Sequence, residues 1–219
     1  MKRVPSAPAE LLERARVELA ALEASIAAHP FLEALERGGV SDATLRAFAG
    51  EQYAILHSDR RSFAHLASRF PEPPAGDLFL ELAVGEGTAL EHLRAFAASL
   101  GLDEDALRTH EPRTETQAYP AFVAWLALNG SRADVALAFL ANLEAWGASC
   151  ARMAGALDGR FDVAFFEFFA QTPPGFEQSA LAVIAQGLDA GEPREQAIRA
   201  ARRLQACELL YWDTFAELR

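Results

Sequence analysis

The chain has 219 residues, of which 51% are apolar and 23% charged, and carries a formal net charge of −11. That length suits one compact domain, and the acidic balance leaves no basic footprint for a phosphate backbone or an anionic lipid surface. No apolar run nears the roughly 20 residues that a bilayer demands, and acids and arginines follow Met1-Lys2-Arg3-Val4-Pro5 where a signal peptide would have an apolar core, so the expectation is a cytoplasmic protein with no nucleic-acid or membrane partner.

Helical periodicity runs through nearly the whole chain. From Ala9 to Ala28 the apolar set Leu12, Ala15, Leu19, Leu22 and Ile26 recurs every three or four residues, opposite Glu10, Glu13, Arg14 and Glu18, which predicts an amphipathic helix. His29-Pro30-Phe31 interrupts it, because proline disfavours helical backbone in the residue before it. A short helix then runs to a stop at Gly38-Gly39, and Ser41 reads as the N-cap of a long helix from Asp42 to Arg69. After the Pro71–Gly76 break, further helices are predicted over Asp77–Leu100, Thr116–Leu128, Arg132–Leu157, Val163–Ala170, Gly175–Leu188 and Pro193–Glu217. Strand-like alternation, fixed-period repeats and low-complexity tracts are missing. The expected object is an all-α, single-domain helical bundle over residues 1–219, with one pocket enclosed by the N-terminal helices, the Thr116–Leu157 region and the last helix.

The residue inventory narrows the chemistry. Lys2 is the sole lysine, so neither a Schiff-base lysine nor a phosphate-loop lysine is available. Cys150 and Cys207 lack metal-cage spacing and read as small buried hydrophobes. All five histidines (His29, His57, His65, His92 and His110) precede residue 111. Glu86 with His92 reads as a structural hydrogen-bonding pair, and His57 with Asp59 as surface or rim. Phe165, Phe166, Phe168 and Phe169 cannot share one side of a helix, so some belong to the core and others cover a pocket or meet another subunit.

Several segments together resemble the TenA/THI-4/PqqC superfamily, whose fold is haem-oxygenase-like. They are His29-Pro30-Phe31 with Gly38-Gly39-Val40; the helix from Phe48 to Leu56; Glu86 and His92 before Leu100-Gly101-Leu102; Gln117-Ala118-Tyr119 with Gly130 eleven residues past the tyrosine; and Cys207-Glu208-Leu209-Leu210-Tyr211-Trp212-Asp213. Residues 29 to 215 are covered. The resemblance implies a hydrolase of thiamin-related aminopyrimidines that uses a cysteine nucleophile, an aspartate, several tyrosines and a glutamate in the last helix. Here the aspartate position holds Gln52, Ile55 replaces a tyrosine, and Trp146 stands where another tyrosine is expected. Aligning Gly130 places Asn142 at the cysteine; aligning the tryptophans places Glu144 there. Tyr119 and Glu208 are retained.

The resemblance thus implies catalytic roles for Glu208 and Tyr119 and substrate contacts from Gln52, Tyr53, Asn142, Glu144, Trp146 and Trp212. Glu208 lies between Leu204 and Trp212 on an inward stripe, where a buried carboxyl has a raised pKa that suits proton transfer to a heterocycle. A second branch of the superfamily comprises di-iron oxidases; Glu86, His92 and Glu144 could supply half of such a site, but the segment Gly175–Leu188 has no histidine, so no metal ligands are assigned. A PqqC-like oxidase would want arginines and histidines in its pocket, whereas Arg199, Arg202 and Arg203 read as a solvated helix face. The expected function is a divergent TenA-like hydrolase of a small heterocycle, with no cofactor and with assembly as a homodimer or homotetramer through Phe- and Ala-rich faces. The alternative is a non-catalytic binding protein on the same fold.

Overall fold

Proline, glycine and side-chain caps set the helix ends. The computed structural model describes residues 6–218, and among these it has ten helices and no strand. Met1–Pro5, with the lone lysine Lys2, and Arg219 lie outside the described residues. Helix α1 spans Ala7–Ala27. His29 is extended (φ −66°, ψ 133°), as the residue before a proline should be. Its Nδ1 accepts from the Phe31 backbone N–H at 3.3 Å, capping α2 (Pro30–Glu36), and its Nε2 lies 3.1 Å from Asp213 near the other end of the chain. Gly38, at φ +70°, makes the left-handed turn that ends this segment. Ser41 Oγ then accepts from the Thr44 N–H at 3.1 Å and opens α3 (Asp42–Arg69).

The remaining helices are α4 (Ala75–Ser99), α5 (Glu104–Thr109), α6 (Ala118–Asn129), α7 (Arg132–Leu157), α8 (Ala164–Ala170), α9 (Phe176–Asp189) and α10 (Arg194–Glu217). Their bounds follow the periodicity closely. Helix α5 was not predicted, since six residues show less than two turns of period. Its signal was Asp103, whose Oδ1 accepts from the Ala106 N–H at 2.8 Å.

The core divides into two apolar clusters. One gathers Leu12, Leu19, Phe63, Phe79, Val135 and Ile184; the other gathers Phe31, Phe48, Phe96, Phe166, Trp212 and Phe215. In the second, Phe48 has the rings of Phe96, Phe166, Tyr211, Trp212 and Phe215 at centroid distances of 5.4–6.4 Å. Burying each such ring contributes about 1.5–3 kcal/mol. Helices α3, α4, α7 and α10 run through both clusters, and Tyr119 packs against both. Between the two halves lies a polar layer. No helix among the described residues is long and apolar enough to cross a membrane.

Two expectations are corrected. Helices α1 and α2 do not line the central cavity, because they cover the outer sides of α7 and α10. The expected Phe-rich outer faces are also absent among the described residues, whose exposed large apolar side chains are Val17, Leu80, Val84, Trp125, Leu128 and Leu210. Phe165 and Phe166 are buried in the core, whereas Phe168 and Phe169 are half-buried and line a surface groove, Phe169 the cavity as well.

Candidate functional site

Two helical stripes make the wall of the central cavity. Gln52, Ile55, Leu56 and Asp59 on α3, and Phe139, Asn142, Leu143 and Trp146 on α7, each follow the i, i+3, i+4, i+7 spacing of one helix face. Glu208 and Tyr211 of α10, Tyr119 of α6, Glu86 of α4 and Phe169 of α8 complete the lining of a narrow cavity, with about 50 Å³ of room for water-sized spheres. Gly147 lets α8 approach α7 closely, since a Cβ there would stand 2.8 Å from the Phe169 carbonyl oxygen. Glu86, Leu143 and Phe169 also line a broader surface groove between α4, α8 and α9, so they stand between it and the cavity.

Glu208 is the centre of a buried network. Its Oε1 accepts from Trp212 Nε1 at 3.2 Å and its Oε2 from Asn142 Nδ2. The same Asn142 nitrogen donates to Gln205 Oε1 at 2.9 Å, and Asn142 Oδ1 accepts from the Tyr119 hydroxyl at 2.8 Å. The amide therefore uses both of its N–H donors and one of the two lone pairs of its oxygen. Burial pushes the Glu208 pKa up to about 8, against the hydrogen bonds from Trp212 and Asn142, which favour the carboxylate. At neutral pH Glu208 is an acid that holds its proton. Burial, with the charges of Asp59, Glu208 and Glu86, keeps Tyr119 a phenol well past neutrality. Across the cavity, Gln52 Nε2 donates to the Tyr211 hydroxyl at 2.7 Å.

The structure brings together five of the eight site residues expected from the sequence: Glu208, Tyr119, Asn142, Trp146 and Gln52. Three fall elsewhere. Glu144 is two residues past Asn142, roughly 200° around the helix, and its exposed carboxylate meets Arg16 at 3.5 Å. Tyr53 turns away from the cavity and donates to Glu104 Oε1 at 2.7 Å. Trp212 is fully buried behind Glu208, so its indole orients the carboxyl and does not line the cavity. Cys150 is buried and Cys207 half-buried; neither lines the cavity, and burial raises the pKa of both thiols, so neither is a ready thiolate. Arg199, Arg202 and Arg203 are exposed on α10.

Two acid residues need correction. Asp59 is not at the surface: it is 3% exposed, and its Oδ1 is sealed from solvent without a hydrogen-bond partner. Only His57 fits the rim, half-buried with its ring 4.5 Å from that of Tyr53. Glu86 makes no hydrogen bond to His92, whose ring lies 5.6 Å from Phe168. Instead Glu86 faces Asp59, and its Oε2 is likewise sealed and unpartnered. Burial drives the pKa of each well above the ordinary carboxyl range, and for Glu86 the charge of Asp59 adds to it. Among the described residues no group of three or more His, Cys, Asp and Glu side chains is placed to hold a metal ion.

Sequence reasoning also missed Glu51, fully buried one residue before Gln52 on a different face. Its Oε1 accepts from His110 Nε2 and from the Arg113 N–H, each at 3.0 Å, and its Oε2 accepts from the Thr116 hydroxyl at 2.5 Å. These bonds tie down the segment that leads into Tyr119. Burial alone would raise the Glu51 pKa; the hydrogen bonds outweigh it and hold the pKa low. Adjacent Gly50, which precedes it, would have been the sequence clue to a close neighbour, namely the His110 ring.

Solved structures share this architecture. A TenA homolog from Pseudomonas syringae pv. tomato aligns at a TM-score of 0.80 with 14% identity, covering 99% of each chain. A putative TenA-like thiaminase from Sulfolobus solfataricus aligns at 0.71 with 14% identity, covering 98% of each chain. A domain of unknown function with a heme oxygenase-like fold from Shewanella denitrificans aligns at 0.72 with 15% identity, covering 94% of this chain and 92% of that one. At such identities the likeness establishes the fold, which is all-α and heme oxygenase-like. No curated protein sequence matches the chain. The model of the TENA/THI-4/PQQC family matches residues 16–215, nearly the whole length, and the chain belongs to that family.

Proposed function

We propose that this protein is a divergent TenA-like hydrolase that cleaves a C–N bond of an aminopyrimidine or thiamin-related heterocycle, with Glu208 as general acid and base. What carries the reading is Glu208 itself: a buried, protonated carboxyl on the cavity wall, oriented by Trp212 and Asn142. Such a group can give its proton to a ring nitrogen, which draws electrons from the carbon that bears the leaving nitrogen. Water then attacks that carbon, the Glu208 carboxylate takes the proton water sheds, and the amine departs with a proton. The sum is R–NH2 and water giving R–OH and ammonia. Tyr119 and Asn142 hold the ring and the carboxyl in register, and Trp146, Phe139 and Phe169 present aromatic faces to it. Water stands in for the family's thiolate because no cysteine lines the cavity.

That same lack of a thiol favours a second reading, in which the chain binds the heterocycle without converting it. The test is ammonia release from a panel of aminopyrimidines and loss of thiamin, followed by calorimetric binding of each compound. Turnover that falls about 10²- to 10⁴-fold in Glu208→Gln, with the fold intact, supports the hydrolase. Tight binding by the wild type with no ammonia released leaves the binding protein.

A further inference from the structure

The hydrolase reading leaves Asp59 and Glu86 unused, although they are the most unusual pair in the molecule. They come from two helices packed along each other, α3 and α4, and both line the cavity. Each keeps a carboxyl oxygen that is sealed from solvent and has no partner, Oδ1 of Asp59 and Oε2 of Glu86. Leaving such an atom unsatisfied costs about 1–3 kcal/mol, and folded proteins seldom tolerate it without a use. Among the described residues nothing cationic answers them. No Arg, Lys or His lines the cavity, and the neighbouring Arg60 and Arg61 are exposed. The other titratable groups that share the space are Glu208, Tyr119 and Tyr211, which add negative charge or none.

We infer that Asp59 and Glu86 form a recognition site for an N–H-rich cation, an ammonium or amidinium group carried by the aromatic ring that the cavity accepts. The inference rests on the reading of the cavity as a heterocycle site and specifies the substituent the ring must bear. Two neighbouring carboxyls in a site of low polarity cannot both ionise, so the empty pair retains at least one proton. An amidinium or ammonium supplies what is missing: N–H donors for both orphan oxygens and a positive charge that lets both carboxyls ionise. Each carboxyl that ionises on binding releases its proton to solvent, so binding of the cation is accompanied by release of one proton where the pair held one and of two where it held two. Glu86 also lines the surface groove between α4, α8 and α9. Glu208 then lies on the same cavity wall, facing the ring.

The experiment compares benzamidinium with benzamide, its neutral isostere, by titration calorimetry and by intrinsic tryptophan fluorescence, to which Trp146 on the cavity wall contributes. Calorimetry is repeated at pH 7.5 in two buffers of different ionisation heat, which reads protons released on binding. Wild-type protein is expected to bind benzamidinium at least about tenfold more tightly than benzamide and to release a proton. Asp59→Asn and Glu86→Gln, each checked for an unchanged helical circular-dichroism spectrum, should reduce the preference below about threefold and lower the number of protons released, and the double variant should release none. Both substitutions replace a buried acid by a neutral amide of the same shape, so neither threatens the fold. Absence of benzamidinium binding, equal affinity for the two probes, or a preference untouched in both variants overturns the inference. So does stoichiometric Mn²⁺ held by wild type and lost in both variants, which would make the pair a metal site. Turnover of aminopyrimidines without any cation preference sinks this site and leaves the hydrolase standing; the preference without turnover does the reverse.

Discussion

Replacing Glu208 with glutamine should remove a pH-dependent weakness from the folded protein. In the native state the carboxyl titrates at about 8, against 4.5 for an ordinary glutamate. Between those values the unfolded chain has lost this proton while the folded chain keeps it, so stability must fall as pH rises through the window. At about 1.36 kcal/mol per pH unit, the full difference approaches about 5 kcal/mol, and rearrangement around the charged form brings the expected loss to about 2–5 kcal/mol. Glutamine has no proton to lose. It also fits the network: if the Asn142 amide turns over, its Oδ1 can accept from Gln at 208 and from Gln205 Nε2, which has no partner in the wild type, while Nδ2 donates to the Tyr119 hydroxyl. Urea unfolding of both proteins at intervals from pH 5 to pH 9 measures the difference. Glu208→Gln should be equal to or slightly less stable than wild type at pH 5 and more stable by about 2–5 kcal/mol at pH 9. Parallel curves across the window would refute the reasoning, because Glu208 would then titrate alike in both states and could not be the acid that the proposed chemistry needs.

Three further outcomes follow from the same geometry. Cys150→Ala and Cys207→Ala should leave any turnover within about threefold of wild type, since neither thiol lines the cavity; loss of activity in Cys150→Ala would mean that the α7 register is misread. Glu51→Gln puts an amide N–H against one of three donors and should cost about 2–4 kcal/mol at pH 7. Because the native Glu51 pKa is held below the unfolded one, its contribution is present above pH 4.5 and fades as pH drops, so the two urea midpoints should converge by pH 3. Light scattering at micromolar concentration should read twice or four times the chain mass, with Val84→Glu or Trp125→Glu shifting it downward, as both side chains are at least half exposed. A monomer in the wild type defeats that expectation.

Local rules made the helices legible in the sequence. Apolar spacing, the His29-Pro30 break, the Ser41 cap and the glycine stops act over a few residues, and each operates in the structure where the sequence placed it. Glu208 could also be read as inward, because Leu204 and Trp212 flank it one turn on either side and both are fully buried. The fold's identity came from the order of motifs along the whole chain and not from any one of them. Asp59 could not be read this way. A lone carboxylate on an amphipathic helix reads as solvated by default, and only the packing of α4 along α3 seals it beside Glu86. The choice between Asn142 and Glu144 was likewise undecidable from spacing that shifts by two residues. Two residues swing a helical side chain through roughly 200°, so the rotation of α7 about its axis sends one inward and the other into water. That rotation is set by packing against α8 and α10, through contacts such as Gly147 under Phe169 and Asn142 against Gln205. These contacts join residues separated by 22 and 63 positions, so no local pattern could encode them, whereas helix formation depends on neighbours within four.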